Sequence, residues 1–305
     1  YEIRKNYDGA DWVFYLPADT KKNAKQFISI VNPIKVIFIK YEFWFNYMAE
    51  LNKKNIPFYS VSSIFRKEQS FFKYDWFAKQ LNNVGHFFVQ DQNSKELLKK
   101  IGFSNCTVAG DTRFDSVITN TQNTISIPLI EKFSENKTTI ICGSTWPKDE
   151  VILAKYIKKN PSYNYIIAPH EIQHISALKN QTNALLLSKA NNTNIKNSNV
   201  LIIDSIGILS NIYKYGNLAY IGGGFGSGIH NILEAVTFGL PVVFGPNYQK
   251  FKEANELIEL EGAKNISNYS ELETTILSFS DFDNSISKNY IKNNAGATDI
   301  IISSI

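Results

Sequence analysis

The chain has 305 residues, of which 44% are hydrophobic and 20% charged, as is ordinary for globular proteins. This length predicts about two domains, and no apolar run approaches the roughly 18 residues that span a bilayer. The formal net charge is +4, with 17 Lys/Arg against 12 Asp/Glu in residues 1–120. So weak an excess argues against a nucleic-acid-binding stripe. It leaves open an anionic small partner, an anionic membrane surface or simple scatter.

Cysteine usage and the first residues predict the compartment. Cys106 and Cys142 are the two cysteines, and each lies in its own apolar segment. We therefore expect buried thiols in a reducing compartment. The opening segment YEIRKNYDGADW lacks the apolar centre of a signal peptide, so we expect a cytoplasmic protein.

Short apolar segments alternate with helical patterns along the first 120 residues, which predicts a parallel sheet covered on both faces. No helical pattern precedes the first segment, so this domain opens in mid-fold and we expect the natural protein to continue upstream. The predicted strands are residues 12–17, 35–40, 57–63, 86–90 and 106–111.

A Thr- and Asn-rich stretch, residues 119–129, is typical of a linker. A second alternating series follows it. We therefore expect two doubly wound α/β domains, residues 1–120 and 121–305, with ligands bound in the groove between them. The second set of predicted strands is 138–144, 163–169, 184–188, 200–204, 218–223, 241–245 and 263–267.

The second domain has three polar strand ends. Gly143-Ser144-Thr145 precedes a helical pattern and predicts either a simple helix cap or an anion site. Gly207 lies in a second turn, which is either a plain strand-to-helix connection or part of a ligand site. His170-Glu171-x-x-His174 has the letters of a zinc-protease motif, but it begins at a strand end and lacks a third ligand. We therefore expect no metal site there.

Five glycines stand in the seven positions 222–228, followed by His230, Asn231 and Glu234. Their spacing fits neither G-x-G-x-x-G nor G-x-x-x-x-G-K-[ST], which argues against NAD and ATP loops. Glycines nevertheless allow a close backbone approach to a phosphate at a helix N-terminus. We expect a helix directly behind the loop that carries His230 and Glu234 on one face, with Glu234 available to a ribose.

Two segments of the first domain are ambiguous. Glu42 and Trp44 follow a predicted strand, where they indicate either a helix start with core aromatics or an acceptor site. Residues 62–80 interleave six aromatic residues with Arg66 and three lysines. That pattern fits a membrane-surface segment and equally an amphipathic helix covering the sheet.

Taken together, several blocks resemble one family, the 3-deoxy-D-manno-octulosonic acid (Kdo) transferases of lipid A biosynthesis. The resemblance covers nearly the whole chain, and the H-N-x-L-E block with the following G-x-P-V-x-x-G-P is its most specific part. The blocks, in chain order, are YLPAD, YEFWFN, VQDQNSKELLKKIG, VAGDTRFD, CGSTW, IAPHE, DSIG and GGGFGSGIHNILEAVTFGLPVVFGP.

This resemblance implies a GT-B glycosyltransferase with two Rossmann-like domains facing across a cleft. It implies CMP-Kdo as donor, a phosphorylated lipid A precursor as acceptor, inversion without a metal or other cofactor, and peripheral contact with the cytoplasmic face of the bacterial inner membrane. Glu42, Trp44 and Arg66 become acceptor-side candidates. The implied donor-binding residues are Gly143, Ser144, Thr145, Pro169, His170, Ile206, Gly207, Ile208, Gly226, Ser227, His230, Asn231, Ile232, Leu233 and Glu234.

The chain departs from the family pattern at two places. The family reads Pro-Arg-His where this chain has Pro169-His170-Glu171, so His170 or Lys148 would replace an arginine facing the donor phosphate. The family's glycine loop also often carries an arginine, which residues 222–228 lack. The family's catalytic base is a glutamate expected upstream of Tyr1, so we assign no base in this chain. Two alternatives remain: a GT-B transferase or epimerase using a UDP-sugar, and a nucleotide- or lipid-binding module without catalysis.

Overall fold

The computed structural model describes residues 5, 7 and 9–305. The chain forms two compact units. The N-terminal unit comprises Tyr1–Thr112 and Gly296–Ile305, and the C-terminal unit comprises Arg113–Ala295.

The N-terminal unit contains a four-stranded parallel sheet of order β1-β2-β3-β4. Its helices pack buried leucine and aromatic side chains against the strands. The elements are α1 Lys21–Val31, β1 Val36–Ile39, α2 Phe45–Lys53, β2 Phe58–Ser63, α3 Asp75–Ala78, β3 His86–Val89, α4 Gln92–Lys100, β4 Cys106–Val108 and, at the chain end, α14 Ala297–Ile302.

The C-terminal unit contains a seven-stranded parallel sheet of order β11-β10-β9-β5-β6-β8-β7. Its elements are α5 Thr112–Gln122, α6 Pro128–Ser134, β5 Thr139–Thr145, α7 Pro147–Lys159, β6 Asn164–Pro169, α8 Ile175–Thr182, β7 Leu185–Leu186, β8 Val200–Ile202, α9 Leu209–Ile212, β9 Leu218–Ile221, α10 Leu233–Thr237, β10 Val242–Phe244, α11 Lys252–Glu259, β11 Ala263–Asn265, α12 Tyr269–Ser278 and α13 Asn284–Asn294.

Both faces of the seven-stranded sheet are buried. Along β5, Ile140 and Cys142 belong to one hydrophobic cluster, and Ile141 between them belongs to the cluster on the opposite face. A strand alternates its side chains between faces, so the two clusters are the cores above and below the sheet. This confirms the predicted fold class of two parallel-sheet α/β units.

Two sequence predictions are wrong. Residues 12–17 form no strand; they are an irregular segment in which the exposed fractions of Trp12 and Tyr15 reach 77% and 73%. An apolar run without a neighbouring strand to pair with has no reason to stay in a sheet. The expected linker, residues 119–129, contains the end of α5 and the start of α6, with a short connection between them.

The observed division between the units also differs from the expected boundary after residue 120. Phe114 and Val117 of α5 lie in the core of the C-terminal unit. Ile301 of α14 packs instead with Val61 and Phe88 of the N-terminal unit. The chain therefore divides at the start of α5 and returns to the N-terminal unit at its end.

The order of the large sheet reverses around β5. From β5 the chain runs to β6 on one side, and it later returns to place β9 on the other side. In open α/β sheets the crevice for ligands lies at the carboxyl ends of the strands where the order reverses. The loops after β5 and β9 flank that position.

Candidate functional site

The turn after β5 is sharp. Ser144 has a left-handed φ of 52°, and the register of β5 against β6 shifts between Gly143 and Thr145. Trp146 then forms the N-cap of α7, and Pro147 occupies its first position, where proline is favoured because its fixed φ suits a helix start. Pro147 has no N–H and the Trp146 amide donates to Asp149, so the amides of Lys148 and Asp149 are the first-turn donors of α7 without an intrahelical acceptor.

Asp149 in the first turn of α7 is fully buried. One of its carboxyl oxygens accepts hydrogen bonds from the amides of Trp146, at 2.9 Å, and Gly223, at 3.0 Å. The other accepts from the Tyr220 hydroxyl at 2.7 Å. Asp149 therefore joins the start of α7 to the end of β9 and to the glycine loop, residues 222–228.

Four of the five loop glycines have a structural reason. An added Cβ at Gly222 would lie 2.2 Å from the carbonyl oxygen of Ser144, and one at Gly224 would lie 2.6 Å from Gly245. Gly223 and Gly228 adopt positive φ. Gly226 is exposed, and its nearest neighbour would be 3.4 Å away, so this glycine leaves backbone open to a ligand.

The glycine loop and the start of α7 enclose a cavity of about 370 Å³, here called the glycine-loop pocket. It combines a cationic side chain and the helix N-terminus with two aromatic rings. Such a combination suits an anionic ligand that carries an organic group. The lining residues are Trp146, Pro147, Lys148, Asp149, Gly223, Phe225, Gly226, Ser227, Gly228 and His230.

Three rings stack beside this pocket. The indole nitrogen of Trp146 donates to Nε2 of His230 at 2.8 Å, and the two rings are nearly parallel, 9° apart. The His170 ring lies 4.5 Å from each of them. Burial and the neighbouring His170 lower the pKa of His230.

The helix predicted directly behind the glycine loop begins later than expected. α10 starts at Leu233, and its N-cap is Ile232. His230 lies before the helix, where its amide donates to the carbonyl of Gly222, so His230 and Glu234 do not share a helix face. The close packing of the loop holds His230 in this irregular segment, which is why the i, i+4 prediction was wrong.

Glu234 lies in the first turn of α10, outside the residues that line the glycine-loop pocket. Asn231 donates from its amide to a Glu234 oxygen at 3.4 Å and caps the helix by accepting from the Leu233 amide at 3.1 Å. Burial raises the pKa of Glu234. Its charge, together with burial, raises the pKa of the nearby Tyr213 hydroxyl.

The loop of residues 206–208 is open. The exposed fraction of Ile206 is 69%, and Gly207 has a φ of +93° with free space around it. Asp204 anchors the start of the loop by accepting from the amide and hydroxyl of Ser188. These residues do not line the glycine-loop pocket.

The zinc-protease letters form no metal site. Pro169 ends β6, His170 stacks on Trp146, and His174 bonds Glu171 at 2.9 Å in a short 3-10 turn. Within residues 5, 7 and 9–305, no group of three His, Cys, Asp or Glu side chains is arranged to hold a metal ion.

Both cysteines are free and buried, as predicted. Burial raises the pKa of Cys106 to about 11 and that of Cys142 further, so both remain thiols at neutral pH.

The acceptor-side candidates meet in the N-terminal unit. The Trp44 indole donates to the Glu42 carboxylate. The Arg66 guanidinium lies over the ring of Tyr41, 5.6 Å from its centre. Arg66 therefore lies beside the short segment after β1 that carries Glu42 and Trp44.

Residues 62–80 share features of both predictions, a segment that covers the sheet and a segment that is exposed for membrane contact. Phe65 and Phe71 are buried in the core, whereas Tyr74 and Trp76 are 55% and 60% exposed. No long amphipathic helix forms, because the segment divides into the end of β2, short 3-10 turns and α3. Across the described residues, no helix has both the length and the hydropathy required to cross a bilayer.

Comparison with known proteins identifies the relatives of this chain. Residues 1–116 match the family model for 3-deoxy-D-manno-octulosonic-acid transferase (Kdo transferase). A 3-deoxy-D-manno-octulosonic acid transferase of Rickettsia bellii is 27% identical over 91% of this chain and 69% of its own length. A bifunctional glycosyltransferase/methyltransferase of Fusobacterium nucleatum is 24% identical over 85% of this chain and 43% of its own length.

The chain is a homologue of the Kdo transferases. This confirms the resemblance predicted from the sequence. The chain spans about half the length of the Fusobacterium relative and about two thirds of the Rickettsia relative.

A solved structure supports the fold. UDP-GlcNAc 2-epimerase from Neisseria meningitidis, bound to UDP-GlcNAc, matches 93% of this chain and 78% of its own, with a TM-score of 0.63 and 14% identity. At this identity the likeness concerns the fold alone.

Sequence reasoning missed two residues that build the site. Asp149 stands three residues after the N-cap, a position typical of a capping carboxylate, but its bonds to Tyr220 and Gly223 depend on tertiary contacts. Phe225 was hidden among the glycines and carried no separate signal.

Proposed function

We propose that the protein transfers Kdo from CMP-Kdo to a phosphorylated lipid A precursor at the cytoplasmic face of the inner membrane. The observation that carries this proposal is the glycine-loop pocket, formed where the strand order of the large sheet reverses in a Kdo transferase homologue. Its cationic rim and helix N-terminus fit the phosphate of a nucleotide sugar.

Within this proposal the donor phosphate lies against the first turn of α7. The amides of that turn and the Lys148 ammonium stabilise the charge that develops on departing CMP, without a metal. Lys148, which lines the pocket, replaces the missing arginine together with His170. Glu234 holds the ribose hydroxyls, and residues 206–208 contact the base.

The acceptor oxygen bonds to the anomeric carbon from the side opposite CMP while the bond from that carbon to the CMP phosphate oxygen breaks, so the transfer inverts the carbon. The hydroxyl proton passes to a carboxylate base, which we do not assign within this chain. The protein must hold that hydroxyl in line with the leaving phosphate, which supplies much of the rate enhancement. Glu42, Trp44 and Arg66 are our candidates for contacts to the acceptor. The exposed Tyr74 and Trp76, with neighbouring lysines, are candidates for peripheral membrane contact.

A nucleotide panel tests the donor. We expect CMP to raise the melting temperature of the protein more than UMP or UDP does. A larger shift with UDP would favour the UDP-sugar alternative. If CMP binds but labelled Kdo does not pass from CMP-Kdo to a lipid A precursor, the chain acts as a binding module.

A further inference from the structure

The ring stack beside the glycine-loop pocket consists of an in-plane pair and a covering ring. Trp146 and His230 are nearly parallel and are joined edge to edge by a hydrogen bond. His170 lies over both rings at 4.5 Å. The arrangement uses residues of three loops, after β5, β6 and β9.

The direction of the hydrogen bond fixes the protonation of His230. An indole nitrogen can only donate, so Nε2 of His230 must accept and carries no proton. In neutral imidazole the proton then sits on Nδ1. No hydrogen bond to this Nδ1 is found in the described part of the chain, and His230 is only half-buried. The Nδ1–H group of His230 is therefore available to donate to a ligand beside the pocket.

We propose that Trp146 is a positioning residue that keeps His230 as the neutral Nδ1–H tautomer, so that His230 donates a hydrogen bond to an oxygen of the donor phosphate. This inference rests on the proposed function for the identity of the ligand. The tautomer itself depends only on the Trp146–His230 geometry.

The groups around His230 have opposing effects on its protonation. His170 faces it across the stack, and Lys148 rims the same pocket from α7. Asp149 lies below the glycine loop and favours protonation, whereas His170 and burial oppose it. Glu234 follows His230 in the chain, in the first turn of α10. Protonation of His230 at Nε2 would break the hydrogen bond from Trp146, so this bond opposes protonation. Ring stacking without the bond would not oppose it.

The first experiment needs no variant. Two-bond proton–nitrogen correlation spectra of protein with ¹⁵N-labelled histidine report which ring nitrogen carries the proton. We expect the Nδ1–H form for His230, assigned among the four histidines by substitution. The Nε2–H form, or full protonation at neutral pH, would overturn the proposal.

The second experiment removes the indole N–H but keeps a ring beneath His170. In Trp146→Phe we expect His230 to titrate about one pH unit higher than in the wild type. We then measure CMP affinity by calorimetry between about pH 5 and 8. The wild type should bind CMP more tightly than the variant at high pH. This difference in affinity should shrink as pH falls, because His230 of the variant gains a charge that attracts phosphate.

A purely structural role predicts the same affinity ratio at every pH, and that result would overturn the proposal. The matched control is Trp12→Phe on the exposed surface of the N-terminal unit, which should change neither the His230 titration nor CMP affinity. If wild-type protein fails to bind CMP at any pH, the proposed function fails. The tautomer measurement still decides the role of Trp146.

Discussion

The two units use the same strand-end geometry for different purposes. Ser62 near the end of β2 and Ser144 near the end of β5 both have a φ of 52°, and both lie at a register shift between parallel strands. The Ser62 hydroxyl accepts from the Thr112 amide at 3.1 Å, which ties its turn to the start of α5. The Ser144 turn instead meets the glycine loop and opens beside the pocket.

The two units also differ in what the carboxylates at their helix starts contact. In the N-terminal unit, the Asn46 amide at the start of α2 donates to Asp19 at 3.0 Å, and Asp91 caps α4 through the Ser94 amide at 2.7 Å. These carboxylates occupy the positive ends of the helices and would repel an anion. In α7, the buried Asp149 carboxylate accepts from the Trp146 amide and also, outside the helix, from the Tyr220 hydroxyl and the Gly223 amide, so its charge is shared with the glycine loop. This difference is why we propose the phosphate site in the C-terminal unit.

Asp149→Asn should give the largest difference between the two units, measured as loss of folding stability. Asparagine has a single carbonyl oxygen, so it can accept from the two amides or from the Tyr220 hydroxyl but not from both, and a buried unmet hydrogen bond costs about 1–3 kcal/mol. We expect the free energy of unfolding to fall by about 1–3 kcal/mol in urea denaturation. Asp91→Asn, the matched change at α4, should cost less than about 0.5 kcal/mol because Asn caps helices as well as Asp. Equal losses in the two variants would contradict the role of Asp149.

Gly222→Ala tests the contact between the glycine loop and the Ser144 turn. The added methyl group would clash with backbone at 2.2 Å, so we expect a loss of about 1–3 kcal/mol in thermal or urea unfolding. Gly226→Ala meets no such contact and should leave stability within about 0.5 kcal/mol while lowering CMP affinity. If both alanines destabilise the protein alike, Gly226 is structural and not a ligand contact.

Glu234→Gln separates binding from stability. We expect CMP affinity to fall by about tenfold or more, equivalent to about 1.4 kcal/mol, because the ribose loses a carboxylate acceptor. Burial raises the pKa of Glu234 above its unfolded value, so the folded state binds the proton more tightly. Wild-type stability should then fall as pH rises from the unfolded pKa to the folded pKa, and the glutamine variant should lack this decrease. Glu259→Gln on the exposed end of α11 is the control, and unchanged CMP affinity in Glu234→Gln would remove Glu234 from the ribose site.

The serine turns give the smallest expected difference. A non-glycine residue with left-handed φ costs about 1–2 kcal/mol, and glycine recovers part of this cost. Ser144→Gly should stabilise the protein by about 0.5 kcal/mol. Ser62→Gly should destabilise it by about 1 kcal/mol, because it removes the bond to Thr112. Differential scanning calorimetry measures both, and the same sign for the two variants would contradict the assigned difference.

The sequence predicted most of the fold because local pattern determines it. All seven strands of the C-terminal unit follow continuous apolar segments between helices, and four of the five predicted in the N-terminal unit are present. The failure at residues 12–17 has a physical cause: apolar periodicity indicates the strand but cannot show whether a partner strand is beside it. The late start of α10 likewise follows from packing of the glycine loop against Ser144 and Gly245, which no local signal records.

The candidate site was only partly predictable. Gly226, Ser227 and His230 do line one pocket, as their proximity along the chain indicates. The stack of His170 on Trp146 and the inward turn of Asp149 join segments that are far apart in sequence. Such contacts depend on the sheet order around β5, and that order was not predicted from one sequence.

A crystal structure of the protein with CMP tests the central claim most directly. We predict the phosphate within hydrogen-bonding distance of the first-turn amides of α7 and the Lys148 ammonium, and the ribose hydroxyls on Glu234. CMP bound at the strand ends of the N-terminal unit, or in the C-terminal unit away from the glycine loop, would contradict the account.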